Sequence, residues 1–425
     1  MNEAADPAAP GGETTGTAGR AAFAFIFITV LLDMMALGVT IPVLPKLIES
    51  FVENDTATAA IWFGVFSTVW ALMQFVFSPV VGALSDRFGR RPVVLMSNFG
   101  LGFDYVLMAL APSLGWLLLG RIISGITAAS ISTSFAYIAD VTPPEKRAAA
   151  FGKIGAAFGA GFVLGPAIGG LLGGLDPRLP FWLAAGFSLA NFLYGVFILP
   201  ESLPQGRRAA FQWRNANPAG SLRLLRSQSG LIGLAGVSFL SQLAHVALPS
   251  SFVLYAGYRY GWDATMMGLT LALVGVCSIV AQVFAIGPAV KRFGERRAAQ
   301  IGFACGIVGF LVYAFAPIGY LSWLGIPFGA LWGIANPAIQ ALMSRLVSPA
   351  EQGQLQGANA SVASIAQLIG PSIFTLVLAW AVKDGHPVAI SGAPFMLAAL
   401  LLLSASFLAA FVWRATTHDG SSQAA

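Results

Sequence analysis

Three charged residues lie inside long apolar segments of the sequence: Asp33, Asp104 and Arg121. An unpaired charge at membrane depth costs roughly 2.5–3.5 kcal/mol on insertion scales, so such side chains are expected to face a cavity or each other. Burial favours the protonated form of a carboxylic acid, whereas a neighbouring guanidinium favours the ionised form. A carboxylate that alternates between these surroundings can take up a proton on one side of a membrane and release it on the other.

Asp104 and Arg121 lie at a similar depth, because a short hairpin joins the two segments that carry them. One interpretation is a proton-coupling site, and the alternative is a fixed ion pair that only holds two helices together. Asp33 has no obvious partner nearby in the sequence, so a purely structural role is harder to assign to it.

The composition predicts that lipid is the solvent around these charges. Of the 425 residues 57% are hydrophobic and 10% are charged, against about 25% charged residues in soluble domains. Because about 20 apolar residues form a helix that crosses the hydrocarbon, we predict an all-α membrane protein. Its twelve transmembrane helices are expected near residues 21–44, 59–80, 93–112, 115–138, 149–174, 179–199, 229–255, 264–286, 299–317, 320–344, 355–382 and 391–413.

The polar segments between and around these spans give the domain organisation. We predict a disordered tail at 1–20, a six-helix bundle at 21–199, a central loop at 200–228, a second bundle at 229–414 and a tail at 415–425. Most of the 23 Lys and Arg residues fall in loops on one side of the spans, and the other side has Lys46, Arg178, Arg259 and Lys383. This bias predicts that both termini are cytoplasmic in a bacterial inner membrane.

Other functional classes lack the residues they need. The net charge of +5 has no basic domain to carry it, so no nucleic-acid partner is expected. Cys277 and Cys305 match neither a metal nor a disulfide spacing, and no nucleotide-binding GxxxxGK[ST] string occurs. Three His residues form no hydrolytic constellation. We expect no enzyme activity, no metal site and no cofactor besides the proton-motive force.

An internal repeat relates the two halves of the chain. GALSDRFGRRP begins at Gly82 and GPAVKRFGERR begins 205 residues later at Gly287, with Arg-Phe-Gly in common. Gly165-Pro166 and Gly370-Pro371 match at the same offset. Transporters built from such repeats bind their substrate near the midplane, between the halves.

The first loop, G-x-L-x-D-R-x-G-R-R, and the two sets of six spans resemble the major facilitator superfamily. Within it, LLDMMALGVTIPVLP, ALMQ and AYIAD resemble the tetracycline-exporter branch. The resemblance implies two pseudo-symmetric six-helix halves and a gate on the cytoplasmic face. The gating residues would be Gly82, Asp86, Arg87, Gly89, Arg90, Arg91 and Asp140. The alternative is that these charges only anchor the loop, and Lys291 replaces Asp86 in the second copy.

Small residues in the fifth span resemble the motif of the superfamily's antiporters: Gly152, Gly161, Gly165, Pro166, Gly169 and Gly170. Glycines four apart allow helices to approach closely, which ordinary packing could also use. The resemblance further implies that Asp33, Asp104 and Arg121 couple protons, with Asp33 as the main carboxylate for proton or substrate. Two departures, Gly306 for an acidic residue and Ser278 for a His, put a tetracycline or metal-chelate substrate in doubt.

Further polar and aromatic residues are candidates for lining the substrate cavity: Gln74, His245, Gln282, Asn336, Trp70 and Trp332. A lone helical His such as His245 is alternatively a packing residue. The function we predict is proton-coupled efflux of a tetracycline-like or other amphipathic drug by a monomer in the lipid bilayer, with a substrate-bound divalent metal compatible with it. The alternatives are an exporter of a sugar or other metabolite and a non-transporting receptor or scaffold.

Overall fold

The computed structural model describes residues 18–128, 130–142, 144–208, 222–225, 229–348, 351–383 and 386–422, and these residues form helices and connecting turns. In the first half, the helices are α1 (Ala18–Thr40), α2 (Leu44–Ser50), α3 (Thr56–Phe88), α4 (Arg90–Leu110), α5 (Leu114–Thr127), α6 (Ser130–Val141), α7 (Pro144–Leu175) and α8 (Leu179–Ile198). A short helix, α9 (Leu222–Leu225), precedes the second half. There, the helices are α10 (Ser229–His245), α11 (Ala247–Tyr260), α12 (Ala264–Phe284), α13 (Ile286–Phe315), α14 (Gly319–Ser322), α15 (Gly325–Trp332), α16 (Ala335–Ser344), α17 (Gln352–Ala381) and α18 (Ala393–Ser422).

Ten segments of the described chain are long and apolar enough to cross a membrane. The remaining two predicted spans, 115–138 and 320–344, are present as consecutive shorter helices: α5 with α6, and α14 to α16. The all-α architecture with twelve spans is therefore confirmed, but several of the spans are broken.

Prolines explain four of the interruptions. A proline ring clashes with the carbonyl four residues earlier and cannot donate a hydrogen bond to it. Four helix ends or turns each lie four residues before a proline: Ile41 before Pro45, His245 before Pro249, Trp323 before Pro327 and Gly333 before Pro337. The breaks therefore follow from the sequence, although hydropathy alone does not reveal them.

The predicted tails and loop differ from the structure at their edges. Because α1 begins at Ala18, the last three residues of the predicted tail 1–20 are helical, and residues 1–17 lie outside the described residues. Helix α18 continues to Ser422, through most of the predicted tail 415–425. In the predicted loop 200–228, residues 209–221 and 226–228 also lie outside the described residues.

The internal repeat is visible in the backbone. Gly89 (φ 106°) and Gly294 (φ 73°) occupy equivalent positions of the two loops, and both adopt the positive φ that favours glycine. Gly89 separates α3 from α4, and Gly294 is the non-helical residue at a kink within α13. Both lie at the same edge of the bundle, which we call the motif side. The opposite edge is the far side.

The halves meet along two related interfaces, α7 with α12 and α3 with α17. In the first, a Cβ atom on Gly268 would lie 2.7 Å from Gly170 Cα. In the second, Gly64 faces Thr375, and Thr68 Oγ1 lies 2.8 Å from Ser372 Oγ. All these contacts are nearer the far side. A Cβ atom on Gly82, Gly152 or Gly287, near the motif side, would meet nothing within 4 Å, so these glycines make no comparable contact there.

Candidate functional site

Asp33 is buried near the middle of α1 and is held by a residue of α8. Asn191 Nδ2 donates to Asp33 Oδ1 at 3.1 Å and to the Thr29 carbonyl at 3.4 Å. The Thr29 hydroxyl donates to Asn191 Oδ1 at 3.0 Å. Sequence reasoning missed Asn191, because a single amide in an apolar helix gives no signal of a partner 158 positions away.

Asp104 and Arg121 are both in the first half but form no direct hydrogen bond. Asp104 on α4 is fully buried; its carboxylate oxygens make no hydrogen bond of good geometry within the described residues, and the Ser124 hydroxyl is the polar group that acts on it. A Cβ on Gly120 would lie 2.5 Å from Asp104 Oδ1, so the carboxylate packs on the backbone next to Arg121. The two charges act on each other electrostatically. The structure therefore lacks the fixed, hydrogen-bonded ion pair of the alternative interpretation.

The guanidinium of Arg121 has an aromatic neighbour instead. Its Cζ lies 5.2 Å from the ring centroid of Trp70 on α3, which is within cation–π range. Arg121 Nε is buried without a hydrogen-bond partner. A buried polar atom without a partner is costly, so the Asp104–Arg121 region retains hydrogen-bonding capacity that other groups can use.

The gating residues form a network on the motif side. Arg90 Nη1 pairs with Asp86 Oδ1 at 2.6 Å, and Arg90 Nε pairs with Asp140 Oδ2 at 3.1 Å. The Glu201 side chain accepts from the backbone N–H groups of Arg90 and Arg91 at 2.9 and 3.3 Å. Every partner lies in the first half or directly after it. Arg87 is exposed and stacks on Phe88. Sequence reasoning missed Glu201, which lies in the predicted central loop.

The second loop copy contains the same pair with its charges exchanged. Arg345 Nη2 lies 2.5 Å from Glu295 Oε1. By the repeat offset Glu295 matches Arg90 and Arg345 matches Asp140. The exposed Lys291 matches Asp86. The first set is thus acid, base, acid and the second is base, acid, base.

The small residues of the antiporter-like motif place α7 between α1 and the second half. A Cβ on Gly161 would lie 2.6 Å from Met34 Cβ, one on Gly165 would lie 2.8 Å from Gly38 Cα, and one on Gly169 would overlap Val39 O. Gly170 faces Gly268 on α12, and Pro166 lies inside an unbroken α7. A Cβ on Gly152 would meet nothing within 4 Å. Helix α7 therefore touches both the residue after Asp33 and the other half.

The cavity candidates of the second half lie around a proline break. His245 ends α10 and its side chain is exposed, with its ring centroid 5.6 Å from that of Trp332. Trp332 packs on Gly306, where a Cβ would lie 2.9 Å from Trp332 Cγ. An acidic side chain at position 306 would therefore collide with the indole ring.

The other cavity candidates differ in exposure. Asn336 is exposed and accepts from Gln340 Nε2 at 3.3 Å. Gln282 is exposed, and Gln74 and Trp70 are half-buried. The Ser278 hydroxyl donates to the Val274 carbonyl at 2.8 Å. No group of three or more His, Cys, Asp or Glu side chains within the described part of the chain could hold a metal ion.

Comparison with known proteins identifies the family. The family model of the Major Facilitator Superfamily matches residues 26–371 and 234–424. The chain belongs to the major facilitator superfamily. The resemblance found in the loop motif is thereby confirmed, and the members of this superfamily are membrane transporters rather than enzymes.

Individual relatives within the superfamily agree with this assignment. The class C tetracycline resistance protein of Escherichia coli is 42% identical over 351 residues, which cover 83% of this chain and 88% of that protein. The class H protein of Pasteurella multocida is 34% identical and covers 90% of this chain and 95% of its own length. The chain is therefore similar to superfamily members named for tetracycline resistance over most of their length.

Solved superfamily structures share the fold. The human organic anion transporter MFSD10 (TETRAN) gives a TM-score of 0.67 at 25% identity, with 92% of this chain and 99% of that chain covered. The nucleoside transporter NupG gives 0.76 at 13% identity, with 94% and 99% covered. These structures confirm the superfamily architecture of two six-helix halves.

Proposed function

We propose that this protein exports a tetracycline-like or other hydrophobic or amphipathic drug in exchange for protons. The observation that carries the proposal is the arrangement of Asp33, Asp104 and Arg121, three charges placed within the spans of one half. Such charges within a membrane mark ion and substrate pathways. Similarity to tetracycline resistance proteins over most of the chain supports the substrate class.

Asp33 is the main coupling carboxylate in this mechanism. It lies on the helix that packs against α7, and α7 also contacts α12 of the other half. A change in the α7–α12 contact between the halves would therefore move α7 against α1, the helix that carries Asp33. Proton entry supplies about 2.3 kcal/mol per charge per 100 mV, in addition to the pH gradient. Asp104 and Arg121 make a second site, where a drug or proton replaces the missing hydrogen bonds.

The second half supplies a neutral wall for the substrate. His245, Trp332 and Asn336 offer a ring, an indole and an amide, and Trp332 fills the space at Gly306. Flat amphipathic molecules suit such surfaces. A divalent metal, if one travels with the drug, would be cargo bound by the first-half carboxylates.

In alternating access, the halves would separate at the motif side and at the far side in turn. With both termini cytoplasmic in a bacterial inner membrane, the motif side faces the cytoplasm, and the far side, where the halves are in close contact, faces outward. Asp86, Arg90 and Asp140 form the gate that closes this side. Because one chain has both halves, the transporter acts as a monomer.

The test is drug-dependent proton movement in inside-out membrane vesicles. After energisation acidifies the lumen, adding tetracycline or another amphipathic drug should release protons from it. Asp33→Asn should abolish that release while the protein stays folded, and Ser404→Ala, an exposed residue of α18, should retain it. Absence of release with every drug tested, from a folded parent protein, would contradict drug–proton exchange and favour export of a metabolite or a non-transporting role.

A further inference from the structure

The side chain of Asn191 on α8 donates a hydrogen bond to Asp33 on α1 at 3.1 Å. Both residues are buried, and Asn191 is fully enclosed. A buried amide needs partners for its carbonyl and its amino group. The Thr29 hydroxyl donates to the side-chain carbonyl of Asn191. The amino group of Asn191 donates to Asp33 and to the Thr29 backbone carbonyl. The orientation of the amide is therefore set by Thr29.

We propose that Asn191 is a positioning residue that sets the proton affinity of Asp33 in the exchange cycle. The inference rests on the proposed function for its biological meaning. It rests on geometry for its physical basis, since an amide N–H donates to an ionised carboxylate more strongly than to a neutral carboxyl group. Removing the donor therefore makes Asp33 hold its proton more tightly.

Other titratable groups near Asp33 are few within the described chain. Tyr105 of α4 interacts electrostatically with Asp33, Asp104 and Arg121. Tyr137 of α6 and Tyr194 of α8 pack in the same cluster as Met34, and Tyr137 donates to the Pro200 carbonyl. From α7 the packed residues are Ala150, Ile154 and Ala157, and Lys153 is exposed. Asn191 thus links α8 directly to the Asp33 carboxylate.

The arrangement also connects Asp33 to a specific helix movement. Helix α8 packs on both α1 and α4, which carry Asp33 and Asp104. A shift of α8 relative to α1 by about 1 Å would lengthen the 3.1 Å bond beyond hydrogen-bond range. Asp33 would then gain or lose its proton as the helices rearrange, without any movement of Asp33 itself.

The experiment measures the pH dependence of drug-driven proton release in vesicles for three variants. Asn191→Leu removes the donor, and the half-maximal pH should rise by about one unit, because hydrogen bonds to charged groups are worth about one to two pKa units. Thr29→Val keeps the shape of the side chain but frees the amide to turn, so a smaller upward shift is expected. Ser188→Ala is the matched control: it lies one turn away on α8, is buried and has no hydrogen-bond partner.

A second measurement separates this proposal from the proposed function. Infrared titration of the purified protein follows the protonated carboxyl band of Asp33, assigned by its loss in Asp33→Asn, and needs no transport. An upward shift of that titration in Asn191→Leu with no shift in Ser188→Ala supports the proposal even if no drug drives proton release. A folded Asn191→Leu protein whose titration and pH profile both match the parent overturns it.

Discussion

The two six-helix halves share one fold but bury different side chains. The first half encloses Asp33, Asp104 and Asn191, and Arg121 lies at the same level. The corresponding spans of the second half have no acidic residue, and their buried surface is mainly aliphatic and aromatic, with Trp332 against Gly306 and Phe252, Tyr255 and Phe395 in edge-on contact. Duplication thus preserved the packing, while the Asp and Arg residues within the spans occur in one half.

The same division appears at the two edges of the bundle. On the motif side the repeated pairs Arg90–Asp140 and Glu295–Arg345 have opposite polarity. On the far side the repeated interfaces pair Gly170 with Gly268 in one case and Thr375 with Gly64 in the other. Equivalent positions therefore make equivalent contacts, although their side chains differ.

Changing the buried charges is expected to have the largest effect on the difference between the two halves. Arg121→Gln should lower transport by more than tenfold and destabilise the protein, because it removes the positive charge that acts on the buried Asp104. Asp104→Asn combined with Arg121→Gln makes the first half resemble the second. The double variant should recover thermal stability in detergent but not transport.

Thermal unfolding and vesicle transport are measured on both variants, with Lys291→Gln, an exposed cation of the second half, as the control. A double variant no more stable than Arg121→Gln would show that Arg121 does not compensate Asp104.

The interfaces between the halves offer the next test. A Cβ on Gly64 would collide with the Thr375 side chain, so Gly64→Ala should hinder closure of the far side and reduce transport about tenfold, since overpacking costs about 1–3 kcal/mol. Adding Thr375→Gly makes this interface resemble the Gly170–Gly268 contact and should restore transport. In Gly170→Ala the new Cβ would collide with the Ala264 carbonyl and the Gly268 backbone. Since these are backbone atoms, no second substitution can remove the collision.

Cross-linking of cysteines placed at 68 and 372, whose hydroxyls lie 2.8 Å apart in the parent, measures far-side closure. Equal cross-linking in Gly64→Ala and the parent would contradict the steric argument.

Much of the fold could be predicted from the sequence because it depends on local signals. The sequence contains these signals directly: the lengths of the apolar spans, the glycines at 89 and 294 that adopt positive φ, and the prolines four residues after helix breaks. The break at His245 is an example: Pro249 favours it, and it leaves the His245 ring at the end of a helix, although Pro166 and Pro371 lie inside continuous helices. Hydropathy averages over such positions and therefore predicted continuous spans.

The site was predictable only where charge itself was the signal. Asp33, Asp104 and Arg121 stand out against apolar neighbours, whereas Asn191 is a neutral residue whose importance depends on the side-by-side packing of α1 and α8. Glu295 and Arg345 could have been found by adding the repeat offset to Arg90 and Asp140. A search for similar residues misses that pair, because the charges are exchanged.

The exchanged polarity can itself be tested. Arg90→Glu places a further acid among Asp86, Asp140 and Glu201, and it should lower the melting temperature by a few degrees, as exposed pairs are worth about 0.2–1 kcal/mol each. The swap Arg90→Glu with Asp140→Arg copies the polarity of Glu295–Arg345 and should recover most of that loss. The reciprocal swap, Glu295→Arg with Arg345→Glu, is the matched control in the second half. A swap that remains as unstable as Arg90→Glu would show that the first loop requires its own polarity.

The smallest expected effect concerns the helix starts on the far side, where both halves use an aspartate cap. Asp55 accepts from the backbone N–H groups of Ala57 and Thr58, each at 3.1 Å, and Asp263 accepts from Met266 N at 2.8 Å. Replacing an N-cap by Ala costs about 1 kcal/mol. Asp55→Ala should therefore lower the melting temperature slightly more than Asp263→Ala, because Asp55 caps two backbone donors and also accepts from the Thr58 hydroxyl.

The effect at Asp55 should also depend on pH. The Thr58 hydroxyl, with the backbone N–H groups of Thr58 and Ala57, holds the pKa of Asp55 below its usual value. A depressed pKa means that the ionised cap stabilises the fold above the unfolded-state value of about 3.9, and that this contribution disappears as the pH falls through the folded-state pKa. Melting curves of the parent and Asp55→Ala in detergent should differ at pH about 7 and converge in acid. A difference that persists unchanged below both pKa values would assign the stabilisation to packing of the side chain rather than to its charge.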